Sequence, residues 1–271
     1  MTVPPPEAPL GLPPGGGTSH RRDGTCAPVV RAWVPEVPVA LEYNGLAYAV
    51  MMATPADLAD FATGFALSEG IIASAAQVRD IAPAQTDKGW VLRITVEGLD
   101  AERLSERVRA RVAESSCGLC GIENLEAIAR PLPQVAPHVA IAPGAIFAAL
   151  DALRDSQPLG AATGAAHAAA FADATGAILA AREDVGRHNA MDKLIGAMAR
   201  ADMPLAGGFL LSTARCSYEI VEKAVKAGAT TLVTVSLPTS MAAARARDAG
   251  LSLWVLARAD SLLLANDAAS S

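Results

Sequence analysis

The chain predicts an α/β protein built in two parts. Three observations carry that expectation: a β-α-β-α-β alternation from Gly208 to Arg258, a mixed set of hairpin, helix and strand signals between Pro38 and Ser116, and the proline-rich stretch RPLPQVAPHVAIAPG between them. Short helical crossovers between apolar strands require parallel neighbours in one sheet, so the C-terminal part is α/β and the smaller N-terminal part α+β. The expected units are a disordered tail over 1–28, an N-terminal domain over 29–135 and a C-terminal domain over 136–271.

In chain order, PVALEYNGLAYAVMMATP reads as two strands joined by an Asn44-Gly45 turn, a strong hairpin signal. TPADLADFATGFALSEG then reads as a helix with Thr54 as N-cap, Pro55 at the first helical position and Gly70 as the stop, carrying Leu58, Phe61 and Phe65 on one face. GWVLRITVEG alternates apolar and polar positions and is a half-buried strand. DAERLSERVRARVAESS is an amphipathic helix with a Leu104, Val108, Val112 stripe, and the loop SSCGLCG hangs from its end. Beyond the prolines, a helix is expected over 145–154, a hairpin from HAAAFAD and GAILAARED, and a helix in NAMDKLIGAMARA. GFLLST, TTLVTVS and LSLWVLAR are strands, alternating with the helices SYEIVEKAVKAG and TSMAAARARDAG, which end at Gly228 and Gly250.

Composition narrows the function. A chain of 271 residues is long enough to bury a real core. Its 22 basic against 28 acidic residues, a net charge of −6, argue against a general nucleic-acid coat. The N-terminus, MTVPPPEAPLGLPPGGGTSHRRDG, has neither the apolar core of a signal peptide nor helical periodicity. Pro131, Pro133, Pro137 and Pro143 interrupt the longest uncharged run, which excludes a continuous membrane helix there. The expectation is a soluble cytoplasmic protein with no nucleic-acid or membrane partner. In that compartment a C-x-x-C is catalytic, redox-active or metal-binding more often than a disulfide framework.

Cys117 and Cys120 are open to several readings. A structural zinc site needs four ligands, and no second half-site accompanies the pair: Cys26 sits in the tail, Cys216 opens a helix and the four histidines are scattered. A thioredoxin-like motif follows a strand, whereas this one follows a helix and is flanked by Gly118 and Gly121. What remains is an exposed thiol pair on a glycine-flanked tether, as a carrier between two partners requires, with Arg103, Arg107, Arg109 and Arg111 upstream to favour thiolate. Two cysteines without function are the bland alternative.

A second dense stretch is EDVGRHNAMDKLIG. Arg187, His188 and Asn189 stand where a helix begins and offer N–H donors to an anion, against the plainer reading of a solvated helix start. Ligands of open α/β sheets sit beyond the strands' carboxyl ends. Here those ends carry STARCS, SLPTS and ARADS, so Arg215 and Arg258, with hydroxyls that include Ser217, are candidates for phosphate contacts. There is no Walker motif and no G-x-G-x-x-G, so that reading rests on topology. His167 taken alone reads as an ordinary core or surface group, as do His20 and His138, and Cys216 as a small buried residue.

In this order LEYNGLAYAVMMATPADLADFATGFALSEGII, SSCGLCG, TGAAHAAAF, EDVGRHNAMDKLIG, STARCSYEIVEKA and LWVLARAD resemble the FdhD family, the formate dehydrogenase accessory sulfurtransferases, over Val37 to Leu262. The resemblance implies a homodimer whose C-terminal domain is a cytidine-deaminase-like α/β/α unit with a mixed sheet. It implies a sulfur carrier that takes persulfide sulfur from a cysteine desulfurase and passes it to the molybdenum or tungsten bis(molybdopterin guanine dinucleotide), a bound substrate, on behalf of formate dehydrogenase. Cys117 would carry the persulfide with Cys120 as its partner. Leu256, Ala257, Arg258, Ala259, Asp260 and Ser261 would meet the guanine nucleotide, joined at the cofactor by Arg187, His188, Asn189, Arg215, Ser217 and His167. This chain departs from the family in Thr213-Ala214-Arg215 and in the RADS segment. Zinc-dependent deamination is rejected, because Ala169 stands where its catalytic Glu would be and no Pro-Cys-x-x-Cys follows, so no permanent metal is expected. Two other functions fit the same features: a cofactor-binding chaperone without sulfur chemistry, and a thiol-disulfide oxidoreductase.

Overall fold

The structure is a computed structural model that describes residues 2–7, 11–100, 102, 104–105 and 130–269. It begins with a departure from the expected tail. β1 (Pro14–His20) and β2 (Cys26–Ala32) form an exposed antiparallel ribbon. The glycines that read as disorder make room for it: the Trp33 indole occupies the space a Cβ on Gly15 would need, and Gly16 sits at φ 152°. Residues 2–7 are also tied down. The Glu7 N–H donates to Asp57 Oδ1 at 2.7 Å, the Asp57 N–H donates back to Glu7 Oε2 at 2.9 Å, and Arg182 donates to the Pro4 carbonyl.

β3 (Val37–Tyr43) and β4 (Leu46–Ala53) pair through Asn44 and Gly45, both at positive φ as a two-residue hairpin turn requires. α1 (Leu58–Ser68) starts later than the Thr54-Pro55 pattern predicts. Thr54 does not cap it: its hydroxyl accepts from the Val185 N–H, so a long-range bond takes the oxygen that a local cap would use. β5 (Val78–Thr86), absent from the sequence reading, pairs with β6 (Gly89–Val96). It is an edge strand, where its Pro83 is tolerated. The sheet order is β4-β3-β6-β5, with Phe61 and Phe65 of α1 packed in one core with Leu41, Leu92 and Ile94. The expected helix over 100–116 lies mostly outside the described residues.

The second half runs α2 (Pro143–Leu153), α3 (Pro158–Thr163), β7 (His167–Asp173), β8 (Ile178–Asp184), α4 (Arg187–Arg200), β9 (Gly208–Ser212), α5 (Tyr218–Lys226), β10 (Thr231–Thr234), α6 (Ser240–Ala249), β11 (Ser252–Val255) and β12 (Leu263–Asn266). Its six strands lie in the order β12-β11-β10-β9-β7-β8. β9, β10 and β11 are parallel as the alternation predicts, while β7, β8 and β12 add antiparallel pairs and make the sheet mixed. α4, α5 and α6 cover one face through Leu194, Ile220 and Ala246, and α2 covers the other through Ile146 and Ala149. Burial on both faces explains why the parallel strands β9, β10 and β11 are mostly apolar rather than alternating.

α1 and α4 cross between the two sheets. A Cβ on Gly64 would collide with the backbone carbonyl of Asp192, and one on Gly196 with that of Asp60, so the helices touch backbone to backbone. Three buried ionic groups reinforce the junction: Lys193 with Asp184 at 2.7 Å, Lys223 with Asp192 at 2.8 Å, and Arg182 with Asp60 at 2.8 Å. No helix among the described residues is long and apolar enough to cross a membrane.

Candidate functional site

Sheet topology gathers the candidate residues. The carboxyl ends of the parallel strands β9, β10 and β11 share one edge of the sheet. β7 runs antiparallel to β9, with Ala169 opposite Ser212, which brings His167 to that edge. β8 runs antiparallel to β7 with Asp184 opposite His167, so α4 begins there as well. His167, Arg187, Arg215, Ser217 and the segment 256–261 thus line one edge although the sequence scatters them. The loops are stitched to each other: the Thr213 N–H donates to the Ala168 carbonyl, Thr239 N–H to Cys216, and Ala257 N–H to Thr234.

At the start of α4, Gly186 is the N-cap and provides no side-chain cap, and the first helical bond runs from the Ala190 N–H to the Gly186 carbonyl. Arg187 Nε and His188 Nε2 are buried there without hydrogen-bond partners. A buried guanidinium N–H without an acceptor, and a buried imidazole nitrogen that donates or accepts according to its tautomer, are costly and call for an explanation, such as a ligand. His188 Nε2 lies 3.9 Å from Glu219 Oε2. Burial, helped by the Arg187 charge, drops the His188 imidazole to about 4, so it is neutral at physiological pH. Burial opposes ionisation of Glu219, but its own backbone N–H and the Arg187 charge help to hold it below the ordinary carboxylate range. His167, half-buried, is also shifted down by burial and by Arg187, against the pull of Asp184.

Other candidates are placed differently. Asn189 was expected to offer donors to an anion, but its amide donates to the Met52 carbonyl at 2.8 Å and to Asp184 Oδ1 at 3.0 Å, so both protons are used inside the protein. Ala257 is core, whereas Arg258, Ala259, Asp260 and Ser261 are exposed, in a turn closed by the Arg258 N–H to the Ser261 carbonyl at 2.9 Å. Leu256 precedes them at φ 48°, a left-handed conformation unusual for leucine. Arg215 is exposed, and Ser217 holds the N-cap position of α5 without a side-chain cap bond. The Cys216 thiol is buried and pushed up to about 12, which makes it inert. Cys117 and Cys120 lie outside the described residues. Among the described residues no three His, Cys, Asp or Glu side chains are grouped to hold a metal.

Sequence reasoning missed Glu219, Thr54 and Lys193. Glu219 could have been flagged as the acid in the first turn of α5, but nothing local marks Thr54 as a bridge to Val185. A cleft of about 970 Å³ lies away from the strand ends, between Leu67, Val78, Met198 and Met203. At the edge itself, Arg187, Arg215 and Arg258 with the unpaired α4 donors suit an elongated, multiply charged anion better than a compact apolar molecule.

Comparison with known proteins adds the context. The FdhD/NarQ family model matches residues 34–267. A sulfur carrier protein FdhD from Variovorax paradoxus is 46% identical over 235 residues, covering 86% of this chain and 84% of the relative. Another from Xanthomonas euvesicatoria is 47% identical over 239 residues, covering 88% and 85%. A crystal structure from Desulfotalea psychrophila, provisionally assigned as a formate dehydrogenase accessory protein, superposes with a TM-score of 0.73 at 21% identity, covering 94% of this chain and 97% of that one.

Proposed function

The chain belongs to the FdhD/NarQ family, and from that premise we propose that it is a sulfur carrier serving formate dehydrogenase. Its partners in this reading are a cysteine desulfurase as donor and the molybdenum or tungsten bis(molybdopterin guanine dinucleotide) as bound substrate. It works as a cytoplasmic homodimer with a cytidine-deaminase-like C-terminal domain. One observation supports the reading most: the sheet edge that carries Arg187, Arg215 and Arg258, where Arg187 Nε, His188 Nε2 and Ser217 Oγ are buried without hydrogen-bond partners.

The chemistry follows from the thiol pair. The Cys117 thiolate attacks the terminal sulfur of the donor's persulfide, the donor's S–S bond breaks, and the donor cysteine leaves as thiolate. The transferred sulfur keeps its oxidation state, so loading needs no oxidant. Delivery as sulfide needs two electrons, and Cys120 supplies them. Its thiolate attacks the Cys117 sulfur, forming a Cys117–Cys120 disulfide and expelling the terminal sulfur. At the edge, the guanidiniums and the α4 donors hold the substrate's phosphates, while the exposed 258–261 turn meets a guanine.

Loading with a desulfurase and cysteine tests the proposal. The intact protein gains the mass of one sulfur, and Cys117→Ala does not; an unchanged gain in that variant would remove Cys117 from the role. Full formate dehydrogenase activity with Cys117 and Cys120 both replaced by Ala would instead identify a chaperone without sulfur chemistry. Dithiol turnover without sulfur loading would identify an oxidoreductase.

A further inference from the structure

The β1–β2 ribbon precedes residue 34, where the family match begins, and its tip, from His20 to Cys26, lies at the end opposite Pro14 and Ala32. His20 and Cys26 are directly opposite in its ladder, the last pair before the loop 21–25. Opposed residues of an antiparallel pair stand about 5 Å apart at Cβ, so the register itself brings the two side chains together. Cys26 Sγ lies 3.0 Å from His20 Nδ1, and both residues are exposed. An imidazole nitrogen in contact with a thiol can accept its proton as the sulfur attacks, the general-base arrangement that activates cysteine nucleophiles. Within the loop, Asp23 Oδ1 accepts from the Thr25 N–H at 2.9 Å and from its hydroxyl at 2.6 Å. Arg21 and Arg22, both exposed, follow His20 directly and put two positive charges at this tip of a chain whose net charge is −6.

We propose that Cys26, with His20 as its base, is a second nucleophilic thiol that exchanges with carboxylate-bearing low-molecular-weight disulfides of the glutathione class. The thiolate attacks one sulfur of the disulfide, that S–S bond breaks, and a mixed disulfide forms on Cys26. The displaced thiolate takes up the proton held by His20, and no other oxidant takes part. Arg21 and Arg22 attract the carboxylates. The site is independent of the sulfur-carrier reading, because neither Cys117 nor the sheet edge enters the reaction.

The full chain carrying Cys117→Ala and Cys120→Ala isolates the site, since Cys216 is buried. Oxidised glutathione should add one glutathionyl group by mass, and Cys26→Ser should abolish it; an adduct that survives Cys26→Ser overturns the proposal. Exchange rates with dianionic 5,5′-dithiobis(2-nitrobenzoate) and neutral 4,4′-dithiodipyridine then separate the two parts. His20→Ala and His20→Gln should each slow both reagents about tenfold through loss of the base that takes the thiol proton, and unchanged rates would overturn the role of His20. Replacing Arg21 and Arg22 together by Ala should slow the dianionic reagent about threefold and spare the neutral one; equal effects on both would overturn the anion preference.

Discussion

At Asp184 four donors converge on one buried carboxylate. Gly186 N–H and the Asn189 amide donate to Oδ1, while Thr54 N–H and the Lys193 ammonium donate to Oδ2. The E-D-V-G-R-H-N block that reads as a ligand site therefore divides: Asp184 and Asn189 are internal fastenings, and Arg187 and His188 keep unpaired donors. Sequence shows residue types but not which donors are already used, so Asn189 and Arg187 look alike until the fold is known. His188 permits a test. An unfolded histidine titrates near about 6.5, whereas burial and Arg187 hold it at about 4 in the folded protein. Between those values the unfolded state binds more protons, so this contribution to stability is present above the upper value and lost as pH falls towards the lower one. Asp57, Glu183 and Asp192, raised by burial, act in the opposite direction and are common to both proteins compared. The wild type should lose more stability between pH 7.5 and pH 5 than His188→Gln, read as urea midpoints. Parallel losses would mean that His188 is not held neutral.

At the scale of elements, the α1–α4 crossing depends on Gly64 and Gly196, where the obstacle to any side chain is backbone rather than a movable group. Gly64→Ala or Gly196→Ala should cost about 3 kcal/mol or more, as overpacking with forced backbone shifts does. Gly144→Ala, in α2 with open space around its Cβ, should instead gain about 0.5–1 kcal/mol by restricting the unfolded chain. Thermal denaturation of the three variants checks both signs, and a tolerated Gly64→Ala would refute the close crossing. The elements that were legible carried strong local signals, such as the Asn44-Gly45 hairpin and the apolar strands β9, β10 and β11. β5 was not, because its half-buried positions, Val78, Ile81 and Ala84, fall three apart rather than alternating, and Pro83 interrupts it. α3 was not, because six residues make too short a pattern to register.

For the whole molecule, local β-α alternation determines the parallel part of the sheet, but the attachment of one sheet to the other is long-range. Its contacts join Thr54 to Asp184, Asp60 to Arg182 and Ser68 to Asp192, pairings that periodicity cannot reveal. Those contacts are charged and buried, so breaking one leaves an uncompensated ion. Lys193→Met strands Asp184 and should lower stability by about 3–5 kcal/mol. Because Lys193 Nζ also donates to the Thr54 carbonyl, the loss belongs to both halves. Trp90 on β6 and Trp254 on β11 report on the two sheets separately. In variants with Trp33 and either Trp90 or Trp254 replaced by Phe, both signals should unfold in a single transition, and Lys193→Met should move both midpoints equally. If only the Trp254 signal moved, the ionic junction would be a local feature of the second half, and the substrate edge beside it would be supported by that half alone.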